Sequence, residues 1–542
     1  MARFNTRGTR PVGRSPIATV TGERARTHEG ASGYLRDARS ELFLLAVSNL
    51  VTTDAFYEPA DDRDDRYSTL VRQLAVEDPE WTAGLLGWLR GEGNMRTAAL
   101  VGAAEFVRAR IDAGEPGHSR QVVDAVLQRA DEPGELLGYW TARYGRRLPK
   151  PVKRGIADAV RRLYNERSLL KYDTDSKGYR FGDVLNLTHP APAADKPWQG
   201  ELFQHALDRR HGNAEETPER LRTLRARERL MRVPVEERHA LITTDTGRLA
   251  EAAMTWESLA GWLQRPMDAA AWEAIIPSMG LMALARNLRN FDEAGVSDEV
   301  AQRVAARFAD LEEVRRSRMF PFRFWAAYKH APSLRWGHAL ERALAHSLAG
   351  VPALPGRSLI LVDRSPSMFP GYGYSTPHRS DIPLAEQAAV FGAALALRAE
   401  APTLVEFGME SRRLTHPSGG SVLRLIEKFG QISGTDIPTA VKKHYGGHDR
   451  VVVVTDEQTR PGWFPSNAQD YGGMAETEID ALVPRDVPVY MWNMAGYKVG
   501  ATPSGGAHRH AFGGLTDQAF RLIPLIERGG DARWPWEKAR ER

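Results

Sequence analysis

The stretch "SLILVDRSPSMF", residues 358–369, decides the fold of the second half of this 542-residue chain. Leu359 to Val362 form a continuous aliphatic run, which reads as a strand buried on both faces. The run ends in Asp363-x-Ser365-x-Ser367, so a carboxylate and two hydroxyls follow the strand at alternate positions. Comparable runs recur downstream as "TLVEFG" (403–408), "RVVVVTD" (450–456) and "VPVYMWNMA" (487–495). Amphipathic segments such as "IPLAEQAAVFGAALALRAE" (382–400) and "ETEIDALV" (476–483) lie between them. Strands alternating with helices imply βαβ units and a mainly parallel sheet, so residues 351–535 read as a doubly wound α/β domain. The segment "AGVPALPGR" (349–357), with two prolines and two glycines, suits the linker before it.

In such sheets ligands bind beyond the carboxyl ends of the strands, where strand order reverses. Asp363 and Asp456 each close a strand, and "QISGTDIP" (431–438) offers Thr435 on a Gly-led loop. Asp363, Ser365, Ser367, Thr435 and Asp456 are therefore expected to converge as five hard oxygen ligands for Mg²⁺ or another divalent cation. The chain has no cysteine, which excludes disulfides, thiolate metal sites and cysteine nucleophiles. No activated nucleophile or general base is evident, so the chain reads as a non-enzyme. A metal-dependent nuclease fits poorly, because such sites are richer in carboxylates. "EPADDRDDR" (58–66) reads as a solvated acidic loop, and His508 and His510 as residues of a surface loop.

Upstream the texture is different. Residues 1–30 are rich in Arg, Gly, Thr and Pro and read as a flexible basic tail. From 31 to 350 amphipathic segments such as "EWTAGLLGWLRG" and "SRQVVDAVLQRA" follow one another through short turns, with no alternating strand pattern. Serial short helices of this kind suggest stacked helix pairs, an α-solenoid. The apolar fraction of 42% and charged fraction of 26% are ordinary for a globular protein. No apolar run approaches the roughly 18 residues of a membrane span. The basic N-terminal segment has no apolar stretch behind it, so the expected location is the cytoplasm without a membrane partner. A net charge of +4 informs only where it clusters.

Three stretches cluster it. In "KPVKRGIADAVRRLYNERSLLKYDTDSKGYR" (150–180), Val152, Ile156, Val160 and Leu163 make a buried helical stripe, leaving Lys153, Arg154, Arg161 and Arg162 on the other side. Lys171, Tyr172, Lys177 and Arg180 follow in an expected loop, and cations interleaved with Tyr164, Tyr172 and Tyr179 suit a phosphate backbone with unstacked bases. "PERLRTLRARERLMRVP" (218–234) adds Arg222, Arg225 and Arg229 among its arginines, whose forked donors favour phosphate. In "PSMGLMALARNLRNFD" (277–292), Pro277 is expected to start a helix that buries Leu281, Leu284, Leu288 and Phe291 and turns Arg286 outward. The competing reading of all three is an ordinary solvated helix face.

These motifs carry two resemblances. Asp363-x-Ser365-x-Ser367 with Thr435 and Asp456 resembles the metal-ion-dependent adhesion site of von Willebrand factor A domains, in which the metal engages a partner's carboxylate. "PSMGLMALARNLRNFD" and "LLKYDTDSKGYRFGDVLNLTHPAP", through Lys171, Tyr172, Asp183, Leu187, His189 and Pro190, resemble the signatures of the TROVE module. A TROVE body followed by a von Willebrand A domain is the layout of the Ro autoantigen family. The resemblance implies a ring of HEAT-like helical repeats closed by the α/β domain, satisfied as a monomer. It implies binding of small non-coding RNA similar to Y RNA and of single-stranded 3′ ends of misfolded RNA, in RNA quality control. An exoribonuclease such as polynucleotide phosphorylase is the implied protein partner. His189, Lys171 and Arg180 follow the RNA-binding segment most directly, and the other cations are placed by charge. The alternative function is a protein-binding module in which the metal site grips an acidic partner. Two loops depart from the family pattern, "PGYGYSTPHRSD" (370–381), with Tyr372 and Tyr374, and "GGAHRHAFGG" (505–514).

Overall fold

A computed structural model describes residues 13–48, 54–213, 216–331, 333–371, 382–415, 420–465, 474–506, 508–515 and 520–537. Tyr372, Tyr374 and the first twelve residues of the expected tail lie outside them. The chain divides into two compact units, one of residues 1–70, 319–326 and 341–542, the other of 71–318 and 327–340.

Among the described residues the first unit holds all the strands: β1 (Thr19–Arg26), β2 (Ser32–Arg36), β3 (Leu354–Asp363), β4 (Ala399–Phe407), β5 (Ser411–Arg413), β6 (Arg450–Thr455), β7 (Gly462–Pro465), β8 (Met474–Thr477), β9 (Val489–Asn493), β10 (Val499–Gly500) and β11 (Arg509–Gly513). Six form a sheet in the order β11-β9-β6-β3-β4-β5, parallel throughout except for the antiparallel edge strand β5. Every residue of β6 and β9 is buried, as continuous apolar runs require in a sheet covered on both faces. On one face Leu359, Leu361, Val405, Val451 and Val453 pack with Ile437 and Val441 of the helix Ile437–His444. On the other, the helix Leu384–Arg398 passes so close over β3 that a Cβ at Gly392 would stand 2.3 Å from Val362 Cγ2. Each fully buried aliphatic side chain contributes about 1.5–3 kcal/mol, so this two-faced core dominates the stability of the unit. The strand order reverses between β3 and β6, the neighbours that end in Asp363 and lead into Asp456. The doubly wound α/β domain is thus present.

The N-terminal segment corrects two expectations. Residues 19–26 are a strand, not a flexible tail, and Ser32–Arg36 is a second strand in the region expected to be wholly helical. β1, β2 and β10 form an antiparallel sheet, so the start of the chain completes the α/β unit. The segment at 58–66 is likewise no open loop: it leads into the helix Ala60–Glu77, and Arg63 is only 1% exposed, donating to Glu58 and to the Ala495 carbonyl. The boundary expected at 350 therefore does not coincide with the structural division, which assigns 1–70 and 341–542 to one unit.

The second unit is helical. Pro79–Arg90 packs on Arg96–Asp112, that helix on Ser119–Val126, that one on Lys150–Leu163, and Phe181–Thr188 on Pro197–His211. Helices adjacent or one apart in the chain pack in series, as stacked helix pairs do. Further along, Trp272, Phe291 and Trp336 form a buried aromatic column, with Trp272 edge-on to Phe291 at 5.1 Å and Trp336 Nε1 donating to Asp292. Pro277 lies in a separate 3₁₀ turn, Ile276–Ser278, and the helix begins at Leu281. Its buried stripe is Leu281, Leu284, Leu288 and Phe291, with Asn287 buried beside them and donating to the Ala283 carbonyl.

Candidate metal centre and basic faces

Four segments meet beyond the carboxyl ends of β3, β4 and β6. Arg364 N donates to the Phe407 carbonyl, Ile432 N to the Arg364 carbonyl, Asp436 N to the Gly408 carbonyl and Arg460 N to the Thr435 carbonyl. Backbone bonds thereby bind the Asp363–Ser367 turn, the end of β4, the Thr435 loop and the segment after β6 to one another. Arg364, inside the Asp-x-Ser-x-Ser turn, is buried and donates to the Gly430 and Ala385 carbonyls, so its guanidinium holds the turn in place.

All five expected metal ligands are buried, with Asp363, Ser365 and Asp456 at 0% exposure. Asp363 Oδ1 accepts from Ser365 N at 2.9 Å and Oδ2 from the Thr455 hydroxyl at 2.6 Å. The Ser365 and Ser367 hydroxyls stand 3.1 Å apart. Asp456 Oδ1 accepts from Gln458 N, whereas Oδ2 is buried with no hydrogen-bond partner among the described residues. Burial, and then the neighbouring Asp363, push the Asp456 carboxyl up to about 8; burial also raises that of Asp363. Two buried carboxylates facing each other, one with an orphaned oxygen, beside serine hydroxyls, fit a single hard divalent cation. Among the described residues there is no group of three or more His, Asp or Glu placed as a metal site.

The sequence did not point to the surroundings of this set. Glu457 is fully buried, pairs with Arg36 of β2, and accepts from Asn493 Nδ2 and Ala501 N. Thr27 donates to the Thr459 carbonyl, His28 N to Gln458, and the His28 ring stacks on Tyr57 at 4.7 Å. The β1–β2 hairpin thus braces the segment that follows Asp456. A hairpin read as a disordered tail leaves no sequence signal for these contacts.

The basic residues separate into committed and available ones. Arg180 is committed: it donates to Asp173 and Asp175, and Asp173 beside it raises its pKa further. Arg162 donates to Asp124 and to the Leu127 carbonyl, and Arg225 stands 3.9 Å from both Glu216 and Glu219. Arg154, Arg161, Lys171, Arg222, Arg229 and Arg286 are exposed and make no ion pair among the described residues, and Lys153 is half-buried. Lys171 and Tyr172 end the helix Glu166–Tyr172, not a loop, and the Tyr172 ring is flanked by Lys171 and Arg129. Tyr164 is core, stacked on Phe181 at 3.7 Å, and so is unavailable to a base. His189 is exposed in the left-handed conformation that ends the helix Phe181–Thr188, while Asp183 accepts from Arg180 N at its start.

The described residues thus form a serial-helix unit and a doubly wound α/β unit with a hydroxyl-rich turn at its switch point. The TROVE domain model matches residues 249–341, which include the aromatic column and Arg286. The crystal structure of the Ro (RSR) protein of Deinococcus radiodurans matches with a TM-score of 0.59 and 18% sequence identity, over 91% of this chain and 100% of that one. No curated protein matches this chain in sequence. Residues 249–341 are thus similar to a TROVE domain, and the chain shares its fold with that Ro protein. Its sequence candidates from Lys153 to Arg229 lie outside the matched stretch.

Proposed function

We propose that this protein is a non-catalytic RNA-binding scaffold of the Ro kind. It takes small structured non-coding RNA similar to Y RNA, and single-stranded 3′ ends of misfolded RNA, on the exposed cations of its helical unit. The observation that carries this reading is the set of exposed cations that make no ion pair among the described residues, Arg154, Lys171, Arg222, Arg229 and Arg286, with Arg161 beside Asp158, in a chain whose residues 249–341 match the TROVE domain. Surface cations in an ordinary protein face are mostly balanced by neighbouring acids, as Arg120 is by Asp158 in this same unit. Guanidinium groups without acids favour phosphate and bind it with little sequence preference. Among the described residues no helix is long and apolar enough to cross a membrane.

Asp363, Ser365, Ser367, Thr435 and Asp456 would hold Mg²⁺ or a similar cation. Bound there, the cation supplies a Lewis-acidic point for a carboxylate of a partner protein, of which an exoribonuclease is the expected kind. The protein's own part is to fix the two carboxylates and the hydroxyls and to exclude water from them. The test is binding of a fluorescent RNA duplex with a single-stranded 3′ tail across a salt series, against the same duplex without the tail. Salt-steep, tail-dependent binding is expected. Absence of binding at low salt would refute the RNA reading and leave metal-dependent protein binding as the function.

A further inference from the structure

The carboxyl end of the helix Ile437–His444 and the edge strand β5 gather four exposed cations, Arg357, Arg413, Lys428 and Lys443. Lys443 donates to the Ser411 carbonyl at 2.9 Å and Lys428 to the Thr415 carbonyl at 2.6 Å. Arg413 donates through Nε to His444 Nδ1, and Arg357 donates to the Gly447 carbonyl, both at 3.4 Å. Among the described residues the four side chains therefore meet neutral acceptors and make no ion pair.

The acids of this region are engaged elsewhere or stand apart. Glu406 is only 1% exposed and accepts from Arg412 and from Gly430 N. Asp449 accepts from the Arg357 backbone N. The exposed Glu410 and Glu427 make no ion pair with the four cations among the described residues. His444, buried among them, registers the imbalance: burial, then Lys443 and Arg413, hold its pKa below the ordinary value. At His448, after burial, Arg357 and Arg413 act in the same direction, against Asp449.

Two ordinary explanations account for part of this charge. Lysines in the last turn of a helix complement its dipole, and charged side chains on a short edge strand discourage other strands from pairing. Neither brings Arg357 of β3, or Lys428 beyond the separate helix Val422–Ile426, to the same surface.

The surface also lacks what a protein partner uses. Protein interfaces have an apolar centre in which lysine is depleted. Among the described residues no large apolar side chain is exposed with these cations, and Met409, the nearest in sequence, lies against Gly434 beside Thr435. Guanidinium and ammonium groups free of both acids and apolar neighbours suit phosphate oxygens. Lys443 lies seven residues beyond the N-cap Asp436, about 10 Å along the helix, so the surface is apart from the candidate metal ligand Thr435.

We propose that this surface is a second contact for RNA, on which the α/β unit holds a phosphate backbone through Arg357, Arg413, Lys428 and Lys443. It rests on the RNA reading for the class of ligand, and it adds a site that the helical unit does not contain.

The experiment is lysine footprinting of the full chain, acetylated with and without a single-stranded uridine oligomer, with Lys428, Lys443 and Lys171 read by mass spectrometry. Threefold or greater protection of Lys428 and Lys443 is expected, reversed by salt. With Arg413→Ala and Lys443→Ala combined, the slope of log affinity against log salt should fall by about 1.4, two single-strand contacts, at an unchanged melting temperature. Protection of Lys171 alone would overturn the inference and leave the helical reading standing. Protection of Lys428 and Lys443 alone would uphold it and refute the helical reading. No protection of any lysine would overturn both. Stronger protection by poly-glutamate of equal charge would overturn it in favour of an acidic protein, and an unchanged salt slope in the double variant would also overturn it.

Discussion

Arg36 and Glu457 form an ion pair in which neither side chain is more than 1% exposed, joining the second strand of the chain to the residue after Asp456. Removing one partner of a buried pair leaves an uncompensated charge, at a cost of about 3–5 kcal/mol. Arg36→Ala should therefore lower unfolding free energy by about that amount in a denaturant titration. Adding Glu457→Gln should recover part of it, because the uncompensated charge is removed and one of Asn493 Nδ2 and Ala501 N, which donate to different oxygens of Glu457, keeps an acceptor.

The orphaned Asp456 oxygen predicts a metal response. Mg²⁺ should raise the melting temperature of the wild-type protein, by the equivalent of about 2.7 kcal/mol at a hundred times its dissociation constant. In Asp363→Ala the rise should vanish while RNA affinity stays unchanged. Loss of RNA affinity in the same variant would show that the two sites are not independent.

Among the cations, Lys171 and Arg180 should respond differently although both fall in one signature segment. Lys171→Glu should weaken RNA binding and reduce the slope of log affinity against log salt by about 0.7–0.9, the loss of one phosphate contact. Arg180→Ala should mainly destabilise the protein, since its guanidinium is held by Asp173 and Asp175. Filter binding across a salt series, with melting curves on the same samples, separates the two effects.

His510 predicts a pH dependence. Its folded pKa lies below the ordinary value, so as pH falls the unfolded chain takes up the proton first. The stability tied to the neutral ring is complete above about 6.5 and is lost as pH drops toward 4. His28, His205, His444, His448 and His508 are depressed in the same direction. His510→Phe should therefore flatten the curve only in part, losing on the order of 1–3 kcal/mol less than wild type between pH 7 and pH 4. Unfolding free energies measured at half-unit steps would show it.

The α/β sheet and its Asp-x-Ser-x-Ser turn were legible because their signals are local. An aliphatic run such as Leu359 to Val362 fixes a strand, and Asp363, Ser365 and Ser367 follow it within five residues. The strand β1 was not legible: "TVTGERAR" carries no apolar run, and its order comes from pairing with β2, which in turn pairs with β10. The basic faces were legible as clusters but not in their use. Arg180 and Arg154 look alike in sequence, and only the tertiary position of Asp173 separates the paired guanidinium from the exposed one. His510 was misread because a Gly-flanked segment signals a loop, whereas pairing with β9 makes it a buried strand.

The hairpin of β1 and β2 closes onto residues 499–500, and Gly13 and Arg14 bond to Ile526 and Asp531. Its first strand therefore leaves the ribosome long before its last partners exist, about half a minute or more at 5–20 residues per second. During that interval the helical unit of residues 71–318 and 327–340 is completed and free to fold. The α/β unit, made of chain from both sides of it, must wait for nearly the whole polypeptide. Its N-terminal hairpin, with the edge of β2 that awaits β10 still open, is then the segment most in need of a chaperone during synthesis.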